Sequence, residues 1–331
     1  MIYKPRLFRF TQFLSLLLML ALVTSGCMAK NPSKAENTAL SAMDRLPALT
    51  PVTLANGEKV KVVATTNLVA DIVAQVGGDH IALHSLLAPG VDPHSYTSTP
   101  QDLRSLNDAH VIFINGLHLE TGLDELLATL AAPIVSVNAG VRTQELGAGQ
   151  AKLGQGVDPH TWQRVTNVKQ WVENIRSTLG QLDPAHAPAY DTAAKAYQTK
   201  LDALDADIRA KVATIPVANR KLVTDHETFG YFAEEYGFTI VGALIPSLST
   251  AAEPSAQALA ALQDQLNSEG AKAIFVGTTV NPNLAEQLAQ DLGIQVVTLY
   301  SDSLSAADGP AATYLDFMRY NVDTIVKALQ S

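Results

Sequence analysis

The sequence predicts an α/β fold of two parallel-sheet lobes joined by one long helix. Three observations carry that expectation. Short valine-rich segments alternate with helical patterns through the first half of the chain, as parallel βαβ units do. The same alternation returns in the second half. Between the halves runs a segment with a single apolar helical stripe.

The elements follow in order. Lys59 to Thr65 (KVKVVAT) reads as a strand, and Asn67 is placed to cap a helix over Leu68–Val76 that stops at Gly77-Gly78. A strand over Ile81–Leu87 leads into a loop over Ala88–Thr99. Thr99-Pro100-Gln101-Asp102 then offers a cap residue, a proline at the first helical position and an acid three residues after the cap. Strands over Val111–Ile114 and Ile134–Val137, with a helix between, complete the first lobe. In the second half the strands are Leu222–Thr224, Thr239–Leu244, Ala273–Val276 and Gln295–Leu299. Helices over Phe229–Tyr236, Ser255–Ser268 and Asn283–Asp291 separate them, and a helix from Ala311 to Leu329 closes the chain. In the middle segment Tyr197, Leu201, Leu204, Ile208, Val212 and Ile215 recur at steps of 3 or 4, one face of a helix. A helix over 184–215 would be about 48 Å long and could lie stiffly along both lobes.

The N-terminus is an address. Lys4, Arg6 and Arg9 precede an apolar run, Phe13 to Val23, that falls short of the roughly 20 residues a bilayer span needs. Thr24, Ser25 and Gly26 follow, directly before Cys27. This order is that of a secretion signal over 1–26. It also resembles the bacterial lipoprotein signal, in which the cysteine becomes the acylated first mature residue, although Thr24 stands where Leu is usual. Lipid on Cys27 would hold the protein to a membrane face. Residues 27–57 lack periodicity and read as a flexible tether. The remaining boundaries are a lobe over 58–183, the linker helix over 184–215 and a second lobe over 216–331.

Composition excludes several classes. Cys27 is the only cysteine, which rules out a disulfide scaffold and a cysteine-based zinc site. A formal net charge of −9, with no basic tract beyond the N-terminus, argues against nucleic acid as a partner. There is no phosphate-binding P-loop and no G-x-S-x-G.

The chain has eight histidines and no H-E-x-x-H, so any metal site is assembled from distant positions. Two histidines share one context: Val91-Asp92-Pro93-His94 and Val157-Asp158-Pro159-His160, each after a glycine and each followed by a hydroxyl residue and an aromatic. Proline fixes φ and pushes the preceding residue to extended geometry, so the turn presents its imidazole rigidly. His226 lies just beyond the strand Leu222–Thr224, and Asp302 just beyond Gln295–Leu299. Ligands in open α/β sheets gather past the carboxyl ends of strands. One pair in each half places a site in a cleft between the lobes. His80, His84, His110 and His186 read as surface or structural residues.

With these residues in place the sequence resembles the solute-binding lipoproteins of bacterial zinc and manganese ABC transporters. The matching stretches include GVDPHSYTSTPQDLRSLNDAHVIFINGLHLE, GVDPHTW, LVTDHETFGYFAEEYGF and AATYLDFMRYNVDTIVKAL, in the family's order over nearly all of the chain after about residue 58. The resemblance implies two α/β lobes joined by a rigid helix, with one ion per chain held by His94, His160, His226 and Asp302. His118, Asn115, Glu120, Asp225 and Glu227 are candidates for bracing those four. Three imidazoles and a carboxylate suit four-coordinate zinc. Manganese is the alternative cargo, since Glu227 adjoins His226 and the stretch Ala139–Gln155 lacks the histidines some zinc-specific relatives carry there. The resemblance further implies a permease and an ATPase as partners, a monomer, and a location outside the cytoplasm. It points to a receptor and not an enzyme. The contrasting classes are a zinc metallohydrolase, which would need an open coordination position, and a surface adhesin. Affinity is expected to fall as pH drops through histidine titration near ~6.5.

Overall fold

The structure, a computed structural model, describes residues 45–144 and 156–330. Cys27, the leader over 1–26 and the first part of the expected tether lie outside the described residues. The later part is not free, because Leu46, Leu49, Val52 and Leu54 pack against the core and Val52 N and Leu49 N donate to Leu182 O at 2.9 Å and Gln181 Oε1 at 3.1 Å. Among the described residues no helix is long and apolar enough to cross a membrane.

The first lobe is built on β1 (Val60–Ala64), β2 (Ile81–Ser85), β3 (Val111–Ile114) and β4 (Ile134–Ser136), all parallel, in the order β2-β1-β3-β4. Its helices are α1 (Asn67–Gly77), α2 (Pro100–Asn107), the single turn α3 (Asp124–Leu127) and α4 (Val165–Leu182). A long helix, α5 (Ala187–Val212), leads to the second lobe. There β5 (Lys221–Thr224), β6 (Thr239–Ala243), β7 (Ala273–Gly277) and β8 (Gln295–Leu299) repeat the scheme as β6-β5-β7-β8, again parallel. The helices α6 (Gly230–Tyr236), α7 (Ala256–Glu269), α8 (Asn283–Leu292) and α9 (Tyr314–Leu329) accompany them. Two parallel-sheet lobes are therefore present as the sequence predicts.

Local chemistry explains most boundaries. The Thr99 hydroxyl accepts from Asp102 N and the Asp102 carboxylate accepts from Thr99 N, a reciprocal cap that starts α2. Ser255 and Thr313 cap α7 and α9 in the simpler way. One expectation shifts by a residue: Thr66, not Asn67, caps α1, accepting from Val69 N at 3.2 Å. Asn67 is freed for a longer-range task. The linker helix is shorter than 184–215, at 26 residues or about 39 Å. Pro188 sits in its first turn, where a missing N–H costs nothing, and Pro216 lies just past its end.

Alternate strand residues face opposite sides of each sheet. Val63 and Ile112 pack outward against Leu106, Leu123 and Leu127, while Val223 and Ile274 do the same against Leu262 and Leu288. The other faces meet in one cluster. It runs from Val62 and Phe113 through Trp171 and Ile175 on α4 and Tyr197, Leu201 and Leu204 on α5, to Phe232, Phe275 and Phe317 of the second lobe. Helix α5 packs on α4, α1 and α9, so the stripe predicted for a linker is buried on both lobes at once.

Candidate metal centre

The loops past the carboxyl ends of the strands of both sheets face one another. From the first lobe come His94, after β2, and His160, after β4; from the second come His226, after β5, and Asp302, after β8. His94 Nε2 and His160 Nε2 are 3.2 Å apart, and His226 Nε2 and His160 Nε2 3.3 Å. Asp302 Oδ1 lies 3.6 Å from His226 Nε2 and 3.8 Å from His160 Nε2. All four donor atoms fall within 4.8 Å of one another, and among the described residues no other group of three or more such side chains converges this way.

These separations suit a small cation. Four ligands about 2.05 Å from a tetrahedral zinc stand about 3.3 Å apart. Asp302 Oδ1 is buried with no hydrogen-bond partner, whereas Oδ2 accepts from Ser301 Oγ at 2.6 Å and Thr279 Oγ1 at 3.4 Å. A buried acceptor left open and aimed at three imidazole nitrogens is costly unless a cation meets it.

The two identical tetrapeptides fold alike. Proline has no N–H, so each aspartate accepts from the backbone of the following histidine, Asp92 Oδ1 from His94 N and Asp158 Oδ1 from His160 N, both at 2.9 Å. Asp158 Oδ1 also holds His160 Nδ1 at 2.8 Å, and Asp225 Oδ1 holds His226 Nδ1 at 2.6 Å. A carboxylate on the far ring nitrogen fixes the tautomer and leaves Nε2 facing the centre. Asp225 is held in turn by the Gly277 N–H on its other oxygen.

Electrostatics separate the four. Burial opposes a charge on His226, yet Asp302 and then Asp225 outweigh it and hold its pKa well above 6.5. Burial likewise opposes ionisation of Asp302, but His226 first, then His160 and His94, keep it well below the carboxylate range. Burial and the neighbouring His160 lower His94 to about 3.

The candidate bracing residues divide. Asn115, after β3, donates from Nδ2 to Pro159 O at 3.1 Å, steadying the second VDPH loop. Glu120 accepts from Asn115 N, Gly116 N and Thr65 Oγ1 at 2.8, 3.0 and 2.6 Å. Those bonds clamp a turn in which Gly116, Leu117 and His118 are all left-handed, at φ 74°, 54° and 62°. Burial pushes the Glu120 pKa up, and its three donors work against that shift. Asp225 touches its histidine directly. His118 is exposed at the tip of the turn and is not brought to the centre. Glu227 stands outside the group of four, its N–H donated to Ser247 O. Residues that sequence reasoning passed over also matter: Asp158, Ser301, and Gly277, where an added Cβ would stand 2.1 Å from Ser301 Oγ.

Comparison with known proteins agrees with this architecture. Residues 62–328 match the family described as zinc-uptake complex component A periplasmic. The chain is 30% identical over 319 residues to the manganese-binding lipoprotein MntA of Halalkalibacterium halodurans, covering 96% of this chain and 98% of that one. It is 33% identical over 273 residues to the iron-binding protein YfeA of Yersinia pestis, covering 82% and 86%. Among solved structures, the periplasmic zinc binding protein TroA from Treponema pallidum superposes with a TM-score of 0.77 at 34% identity, covering 83% of this chain and 100% of that one.

Proposed function

The chain belongs to the zinc-uptake complex component A periplasmic family, and on that footing we propose that it holds one zinc ion per molecule on His94, His160, His226 and Asp302 as cargo for an ABC importer. Its work is that of the importer's solute-binding component, which captures a divalent transition metal and delivers it to the membrane permease. The observation that carries the ligand set is the open Asp302 Oδ1, 3.6 and 3.8 Å from two imidazole nitrogens in a site closed to solvent.

Zinc is favoured over manganese by the donor chemistry. Three nitrogens and one oxygen at tetrahedral spacing suit zinc, whereas manganese prefers more oxygen. The name of the Halalkalibacterium relative favours manganese, and that is the second reading. A hydrolase does not fit the same geometry, because four protein donors fill a tetrahedral shell and leave no place for an activated water. The proposal extends to a monomer held on the outer side of a membrane by lipid at Cys27, with the importer's permease and ATPase as partners.

Metal content of the purified protein tests the ligand set, with His226→Ala and Asp302→Ala alongside. One zinc per chain, lost or weakened in both variants, is the expected result. Metal retained unchanged in both would overturn the ligand set, and manganese in place of zinc would keep the receptor and overturn the selectivity.

A further inference from the structure

The two VDPH loops share a sequence, and their aspartates do different things. Asp158 Oδ1 holds both the backbone and the ring of its own histidine. Asp92 Oδ1 holds only the backbone of His94, and among the described residues no hydrogen-bond partner stands at His94 Nδ1. The second oxygen of Asp92 instead reaches across the cleft and accepts from Thr250 Oγ1 of the opposite lobe at 2.6 Å, and from Ser95 Oγ at 3.1 Å. Exposure follows the same asymmetry. His94 is 7% exposed, against 0% for His160 and His226 and 1% for Asp302. Asp92 and Thr250 are themselves half-buried, which places their bond at the mouth of the site.

We propose that Asp92 and Thr250 form a latch across the mouth of the cleft, and that the metal enters and leaves past His94 when this latch opens. The inference rests on the four-donor site proposed above. A bond between half-buried groups can be exchanged for water locally without disturbing the core. The loop stays tethered at its other end, where Gly90 N and Asn67 Nδ2 donate to Ser303 Oγ at 2.7 and 2.8 Å and Leu304 N donates to Asn67 Oδ1 at 2.8 Å. Opening is then a local swing of Val91–His94 about that fixed end. His94, at whose Nδ1 no hydrogen-bond partner stands among the described residues, is the ligand that swings.

The test loads the whole chain with zinc alone and follows its release into an excess of chelator. Thr250→Val removes the hydroxyl and keeps the shape; Thr250→Ser keeps the hydroxyl. Tyr231→Phe removes the tie of the second VDPH loop to the opposite lobe, Tyr231 OH to Asp158 O at 2.8 Å. Thr250→Val is expected to release zinc at least about tenfold faster, the lower end of what one hydrogen bond to a charged group is worth. Capture should change far less, serine should restore the parent rate, and Tyr231→Phe should quicken release less than valine does. A stability defect alone would not separate release from capture. An unchanged release rate in Thr250→Val, or faster release from Tyr231→Phe than from Thr250→Val, would overturn the latch. If the parent chain took up neither zinc nor manganese, the four-donor reading would fall and the latch with it.

Discussion

Replacing Gly277 with alanine asks how far the site depends on groups that never touch the ion. Gly277 ends β7, and its N–H is donated to Asp225, the carboxylate that holds His226. A methyl group built there stands 2.1 Å from Ser301 Oγ and 3.1 Å from Asp225 Oδ2. Non-bonded heavy atoms settle at about 3.5 Å, so the hydroxyl must move by more than an ångström. Ser301 is 1% exposed. It moves by turning about its own Cα–Cβ bond or by shifting the backbone at 301–302, and either breaks its 2.6 Å bond to Asp302 Oδ2. A hydrogen bond to a charged group is worth about 1.5–3 kcal/mol, and groups that brace metal ligands typically carry about 10- to 100-fold in affinity. Gly277→Ala is therefore expected to weaken zinc binding about 10- to 100-fold in competition against a chromophoric chelator. Overpacking should cost the metal-free protein about 1–3 kcal/mol in denaturant unfolding. Ser301→Ala, which deletes the bond without the clash, should show part of the affinity loss. A Gly277→Ala affinity within about threefold of the parent would refute the reasoning, because bracing of this kind carries at least about tenfold.

Two further outcomes follow from the geometry. In the metal-free protein His226 keeps its proton at neutral pH, since Asp302 and Asp225 hold its pKa well above 6.5, while His94, lowered to about 3, is neutral. Zinc must expel the His226 proton, so apparent affinity rises with pH up to the raised His226 pKa and falls below it; calorimetry in buffers of different ionisation enthalpy should find about one proton released per ion, and none would contradict the pairing. Leu201, fully buried in the middle of α5, should lose about 2–5 kcal/mol on change to alanine, in one cooperative transition. Separate melting of the two lobes would contradict the shared core.

Much of this architecture was legible because it is written in local chemistry. Parallel strands buried on both faces read as continuous apolar runs, as in Val111–Ile114 and Ala273–Gly277. Thr99 announces α2 through contacts only three residues long. The centre was legible through repetition, since two VDPH turns are visible without any structure, and through strand ends, which point to His226 and Asp302. What escaped were residues whose partners lie far along the chain. Asn67 looks like a cap from its neighbours, but its amide spans 236 residues to Ser303. Thr250 and Asp92 are 158 positions apart, and nothing in either neighbourhood signals the other. Gly277 differs again: its requirement is space, and space is set by Ser301, which reaches it only in the folded chain. His118 shows the opposite failure, a histidine near the right loop whose left-handed turn carries it out to solvent.

The single core that runs from one sheet through α5 to the other has a mechanical meaning. Were the lobes joined by two or three extended strands, they could swing apart by rotating a few peptide bonds, with almost no restoring force. Here, spreading them flexes a body packed at crystal-like density, and the buried stripe along α5 resists. Parting the lobes would therefore load the molecule as a leaf spring, and the deflection would relax once the load is gone.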